Sequence, residues 1–426
     1  MKDSKLNILV VDSGARGHVL GWKLGQSRRT KKLYFAPGNT GTAQIGENLP
    51  IGATEIQALG KAAKEKGIDL VVVGQETPLT EGITDYFKGF GIPIFGPTKA
   101  AAILEASKIF SHELMEKHDI PCAKGRGFCT FAGAMAYLQK QEMPIVIKAD
   151  GLAAGKGVVI AHTIQEAETA LQDFMIERKL KEAGERVLVS EYLTGKEVSV
   201  FAATNGEIVV RMGAACDYKP IYDGDKGPMT GGMGSYSPPG FLTEALLQKI
   251  DETIFYPVVK AMRLEGRTYQ GILYGGLIIT SEGPKVLEFN IRPGDPESQV
   301  LLPRLKTDLV EIILSILNNT LDQIKIEWST EACVGVVMAS PGYPDKPKTG
   351  FPISGLNKLD SDILVFHAGT KAGKKQGEVL TTGGRVLTVV ATGRNITEAQ
   401  KKVYANVPKI KFEGGCQFRR DIANRL

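Results

Sequence analysis

Residues 145–160, IVIKADGLAAGKGVVI, end one run of β-branched side chains at Lys148 and set Gly151, Gly155, Lys156 and Gly157 before a second. That composition predicts a strand, a glycine loop and a second strand. Glycine has no Cβ, so N–H groups in such a loop can close on phosphate oxygens, and Lys156 adds a mobile positive charge. The GxxxxGK[ST] nucleotide loop does not fit, because the glycine spacing is one residue short, Gly157 replaces the hydroxyl residue and a strand follows instead of a helix. A hairpin whose glycines only permit a tight turn is the competing reading.

A second group lies at the end of a predicted strand, residues 285–290. Glu288 and Asn290 alternate there and so point to one face. Two oxygen donors suit Mg²⁺, which takes one or two protein groups and fills its other positions with water and nucleotide phosphates. A solvated edge face is the alternative. Arg292, two residues on, falls on the same side if the strand persists, and its planar fork matches a carboxylate or phosphate. Lys108, in the middle of a helical stretch at residues 98–118, reads by default as a solvated lysine.

The elements that must hold these residues begin with strands at residues 6–11, 33–36, 70–73 and 93–95, alternating with helices at 19–26, 55–66 and 81–90. This is a doubly wound parallel sheet, whose ligand edge is expected at residues 12–18, 37–39 and 74–79. A dinucleotide site is disfavoured, since Gly14 and Gly17 do not fit GxGxxG and no acidic residue ends the second strand. Thr163 to Glu166 forms a capping box opening a helix to about residue 174, and Asn205-Gly206 predicts a hairpin. Residues 214–239 read as a long irregular loop, followed by helices at 243–263, 305–317 and 397–406.

At 426 residues the chain is too long for one core, and two to four domains are expected. A net charge of +5 is too mild to argue a nucleic-acid partner. Five dispersed cysteines without a CxxC pair speak against a disulfide framework or zinc site and for a reducing, cytoplasmic setting. The apolar run at residues 8–11 is too short for a signal-peptide core, and no run approaches a membrane span.

The order KADGLAAGKGV, SEYLTGKE, DGDKGPMTGGMGSYSPP and EFNIRPGDPESQ, with PGNTGTA, IFGPT, FHAGTK and TTGGRVL, resembles the ATP-grasp ligases, and among them the phosphoribosylamine–glycine ligases. The resemblance covers essentially the whole chain. It implies an α/β N-terminal domain (residues 1–103), an ATP-grasp domain of two α+β lobes (104–327, flap lobe about 123–192) and a small α+β C-terminal domain (328–426). It also implies Lys108 and Lys148 on the nucleotide, Gly151 to Gly157 as a flap over its phosphates, Glu191, Tyr192 and Leu193 as the adenine-reading hinge and Glu197 on the ribose. Glu288 and Asn290 match the metal ligands for Mg²⁺ or Mn²⁺. Asp217, Lys219, Arg292, Gly294 and Asp295 match the substrate and phosphate-transfer region, and Gly14, Arg16, His18, Pro37, Gly38, Asn39 and Glu76 the phosphoribosylamine side. The implied substrates are ATP, glycine and 5-phosphoribosylamine, handled by a monomer.

Five positions depart from the family pattern. Gly17 stands for the glutamate of GGREH, Gln75 for proline, Tyr218 for histidine, Met229 for asparagine and Pro293 for phenylalanine. They leave open another carboxylate–amine pair, or a nucleotide-binding relative without activity.

Overall fold

A computed structural model of the chain describes residues 4–153 and 156–424, so Gly155 lies outside the described residues. Its N-terminal sheet has the spatial order Glu47–Asn48, Thr30–Pro37, Leu6–Asp12, Leu70–Val73, Ile94–Phe95, all parallel. Leu70–Val73 is buried throughout, as a parallel strand covered on both faces requires. The chain order reverses at Leu6–Asp12, so the loops following it and Leu70–Val73 leave the sheet side by side at the expected ligand edge.

Three helix expectations in the first 120 residues change. The first helix spans Ala15–Leu24, not 19–26, so Arg16, Gly17 and His18 belong to its first turn. Asp12 makes this early start possible by accepting the Gly14 N–H at 2.6 Å, at the Oδ1 atom. The helix expected at 81–90 is two helices, Glu76–Glu81 and Ile83–Gly89, broken where Gly82 takes φ +95°. The stretch 98–118 divides into Lys99–Ala106 and Lys108–Lys117, because Ser107 turns extended and its hydroxyl caps the second helix at the Phe110 N–H. Lys108 is therefore a helix-opening residue, not a mid-helix one.

The flap lobe is an antiparallel sheet in the order Gly125–Phe128, Val187–Glu191, Ile145–Ala149, Val158–Ala161. Thr163 caps the helix as expected by accepting the Glu166 N–H, while Glu166 reaches one residue past the cap and accepts the His162 N–H. Beneath the flap lobe an eight-stranded sheet runs Gly283–Asn290, Gly271–Thr280, Lys196–Thr204, Val209–Asp217, Gly234–Ser237, Ala332–Ala339, Arg385–Gly393, Leu364–His367. Its ladder is continuous from Gly283–Asn290 into the C-terminal strands.

Residues 214–239 are not the irregular loop expected. Val209–Asp217 extends into them, Pro220–Tyr222 and Lys226–Met229 form a hairpin, and Gly234–Ser237 joins the large sheet. Glycine richness masked this strand content, since Gly232 at φ +111° permits a turn where a Cβ would meet Pro296 Cδ at 2.4 Å. The helix expected from 305 begins at Leu309, capped by Asp308, and that expected at 243–263 runs through a wide turn at Asp251–Phe255.

Candidate active site

A cavity of about 490 Å³ opens between the flap lobe and the large sheet, a volume suited to a small-molecule site. Lys108, Lys148, Lys156 and Lys219 line it together with Glu288 and Asn290, which do share one face of their strand. Lys148 donates from Nζ to the Leu287 carbonyl at 2.8 Å, and burial lowers its pKa against the pull of Glu288. Lys108 Nζ lies 3.3 Å from the Gly151 carbonyl, so the base of the glycine loop and the opening turn of a helix meet at one ammonium.

Burial alone would raise Glu288, yet Lys219, Lys108 and Lys148 hold it below the ordinary carboxylate range. It is thus held as a carboxylate, half-buried at the cavity wall. Asn290 accepts from Arg292 Nη2 at 3.2 Å through Oδ1, while its buried Nδ2 has no hydrogen-bond partner. Among the described residues no group of three or more His, Cys, Asp or Glu is arranged to hold a metal. One carboxylate and one carboxamide fit a hard cation that completes its shell with water and phosphate oxygens.

Arg292 lines the cavity but its fork is already engaged. Nε donates to Glu76 at 2.9 Å, Nη2 lies 3.4 Å from Glu105, and Nη1 reaches the Pro293 carbonyl at 3.4 Å. Burial would raise Glu76, but Arg292 and Arg16 bring it down to about 2. Lys219 Nζ is 3.9 Å from both Asp217 and Glu197, and the Asp217 charge raises its pKa. Asp295 pairs with Arg385 at 3.0 Å and accepts from Gln299 at 2.7 Å.

Most of the other candidates near the nucleotide loop and hinge stand apart from the lining. Gly151 packs at the flap base, where a Cβ would lie 2.8 Å from the Ala183 backbone; Gly157 does line the cavity. Gly294 is pressed against Glu297, whose carboxylate would sit 2.4 Å from an added Cβ. Glu191 accepts the Lys124 N–H, Tyr192 is exposed, Leu193 is half-buried, and Glu197 is exposed except for its approach to Lys219.

The phosphoribosylamine candidates divide similarly. Arg16 and Glu76 line the cavity. Gly14 lies near it, since an added Cβ would be 3.6 Å from Asp295 Oδ2. His18 accepts the His367 N–H at Nδ1, and Asn39 donates to the carbonyls of Ser13 and His367, so both join the N-terminal domain to a C-terminal strand. Pro37 ends its strand, and Gly38 takes φ +72° against Asn48.

Among the lining residues not singled out from the sequence are Glu105, Arg385, Glu297 and Tyr274. Glu105 accepts the Ile291 N–H at 2.7 Å, and Arg385 donates to Gly231 and Asp295. Glu297 accepts from Ser199 at 2.9 Å and from Tyr274 at 2.7 Å, and burial together with Asp217 raises its pKa. The signal for Glu297 was its place in PGDPE, two residues past Asp295; Glu105, Tyr274 and Arg385 carry none without the fold.

Family models for the N, ATP-grasp (A) and C domains of phosphoribosylglycinamide synthetase match residues 6–105, 106–298 and 333–425. A phosphoribosylamine–glycine ligase of Halalkalibacterium halodurans is 46% identical, covering 99% of this chain and 97% of that protein. One from Escherichia coli K12 is 45% identical, covering 99% and 98%. The crystal structure of the Thermotoga maritima phosphoribosylamine–glycine ligase superposes with a TM-score of 0.85 at 33% identity, covering 98% of this chain and all of that one. The biotin carboxylase domain of Hydrogenobacter thermophilus 2-oxoglutarate carboxylase, in complex with MgADP, ADP and bicarbonate, shares the fold at 16% identity (TM-score 0.73, covering 97% and 91%). With three domain models in register along its length and relatives this similar over nearly all of it, the chain belongs to the phosphoribosylamine–glycine ligase family.

Proposed function

We propose that the cavity performs the ligation its relatives are named for: ATP, glycine and 5-phosphoribosylamine give glycinamide ribonucleotide, ADP and phosphate, a step of purine biosynthesis. The observation that carries this reading is the convergence of Lys108, Lys148 and Lys219 on an ionised Glu288 beside Asn290, with Arg292 at the next position on that face. Such a set neutralises phosphate charge on one side and sets a guanidinium, held by Glu76 and Asn290, toward a carboxylate on the other.

A glycine carboxylate is a poor electrophile. One of its oxygens attacks the γ-phosphorus, the bond to ADP breaks, and a glycyl phosphate forms. The phosphoribosylamine nitrogen then attacks the acyl carbon, loses a proton and expels phosphate. Phosphoryl transfer of this kind depends on alignment and on charge neutralisation. Lys108 and Lys148 bind the nucleotide phosphates, Lys219 stays charged beside Asp217, and Arg292 meets the carboxylate through Nη1, its least committed nitrogen. Glu288 and Asn290 would hold Mg²⁺ or Mn²⁺, which when bound shields the phosphate oxygens. Arg16 and Glu76 form the acceptor side.

Among the described residues the cysteines form no disulfide, which supports the cytoplasmic reading, and no described helix is long and apolar enough to cross a membrane. ADP release that requires glycine and phosphoribosylamine together tests the proposal.

A further inference from the structure

The hairpin of Pro220–Tyr222 and Lys226–Met229 delivers Met229, Thr230 and Gly231 to the cavity wall. Every residue of Lys226–Met229 is exposed, and a two-stranded hairpin with so little burial is marginal in water. Ile221 anchors its other strand against Met233 and Ala339, and the tip is held by three consecutive residues, 419–421.

Arg419 is fully buried. Its Nε and Nη2 fork onto Asp421 at 2.7 and 2.5 Å, while Nη1 donates to the Pro220 carbonyl at 3.0 Å and to Asp225 at 2.9 Å. The guanidinium also lies over the Tyr218 ring, 4.8 Å from its centre. Asp421 in turn accepts the Gly224 N–H at 2.9 Å, and Asp223 accepts the Arg420 N–H at 2.7 Å. The tip of the hairpin is thus tied by side chains and backbone to residues 419–421. At its other end Thr230 donates twice to the Lys219 carbonyl.

A buried guanidinium is tolerated only where its donors are satisfied, and here they are satisfied by the hairpin and by its own segment. Tyr218, a departure from the family's histidine, is 2% exposed and does not line the cavity. It supplies the ring face for this clamp and the Met233 N–H acceptor beyond it.

We propose that Arg419, with Asp421, is a positioning residue for the ligation: it clamps the 220–229 hairpin so that Lys219 and residues 229–231 hold the cavity wall in its working shape. This rests on the ligase reading. Loosening the clamp is expected to lower turnover without releasing the nucleotide, because Lys148 and Glu288 are anchored on other strands.

The test uses the full chain with Arg419→Lys and, since a buried change can impair folding, Asp225→Asn on the partly exposed hairpin tip. Amide exchange across 220–231 is expected to quicken by about tenfold or more, and kcat to fall roughly fivefold or more, with the ATP dissociation constant within about threefold and the melting temperature of Asp225→Asn little changed. Wild-type kcat despite faster exchange, unchanged exchange, or a loss of ATP affinity equal to the loss of turnover would each overturn the clamp. Wild-type protein without glycine-dependent ADP release would overturn the ligase reading instead, before any variant is made.

Discussion

Arg292 donates from Nε to Glu76 at 2.9 Å, joining residues 216 positions apart: one just beyond a strand of the large sheet, the other opening a helix of the N-terminal domain. Arg16 approaches the same Glu76 oxygen at 3.7 Å and donates to the Pro293 carbonyl at 3.2 Å. The two sides of the proposed reaction therefore share one carboxylate. An arginine held by Glu76, Glu105 and Asn290 cannot offer an open two-pronged fork, so a substrate carboxylate meets a preset guanidinium at its remaining nitrogen.

Arg292→Lys tests this arrangement. Lysine keeps the charge but loses the planar contacts that fix its direction. A charge-assisted hydrogen bond contributes roughly 1.5 to 3 kcal/mol, so the glycine KM is expected to rise on the order of ten- to a hundredfold in steady-state assays. The ATP KM is expected to move far less; an unchanged glycine dependence would remove Arg292 from carboxylate recognition.

Glu288→Gln removes one charge from the cavity wall at nearly constant volume. A loss of about 3 kcal/mol or more of transition-state stabilisation is expected, over a hundredfold in kcat. Circular dichroism and melting are expected to show a folded protein. Wild-type turnover would take Glu288 out of the site.

Acid is expected to loosen the molecule in two stages. Burial and the neighbouring His367 charge lower His18 to about 3, and burial lowers His367 to about 4. The unfolded chain then takes up protons below the ordinary pKa of 6.5 that the folded rings refuse, so stability falls as pH drops from there toward 4. For His367 alone the loss approaches about 3 kcal/mol near pH 4. Glu76 acts lower: held at about 2, it stabilises above its ordinary value of 4.5, and that contribution is lost between 4.5 and 2. His18→Asn keeps an acceptor for the His367 N–H and is expected to flatten the upper stage of a melting-temperature profile against pH. An unchanged profile would assign that stage elsewhere.

Strand and motif identity were legible in the chain because period and composition are local properties. Leu70–Val73 agrees with its expected ends, and Glu288 and Asn290 face one cavity as their alternation requires. What was not legible depended on contacts made across the fold. Ser107 breaks a helix because its hydroxyl caps the next one and bonds Asp150, 43 residues on. His18 and Asn39 sit in motifs carried over as substrate contacts, yet their polar atoms are used by His367, more than three hundred residues away. Glu105 looked like any helical glutamate until the fold placed it beside Arg292.

Gly17 illustrates a departure that only geometry explains. A Cβ there would lie 2.6 Å from Asp12 Cβ, and Asp12 is occupied in holding Arg16 at 3.0 Å and the Gly14 N–H. Gly17→Glu alone is expected to destabilise the protein by about 1 to 3 kcal/mol through overpacking. Pairing it with Asp12→Gly is expected to recover part of that loss in denaturant melts, a non-additive pair. Additive losses would show that the two positions do not compete for space.

The most direct measurement is ADP release by the purified wild-type protein with Mg-ATP, using phosphoribosylamine generated in situ, with and without glycine. The expected result is ADP formation that needs both substrates and matches glycinamide ribonucleotide one for one. ADP release indifferent to glycine, or stimulated only by a different carboxylate, would contradict the ligase reading.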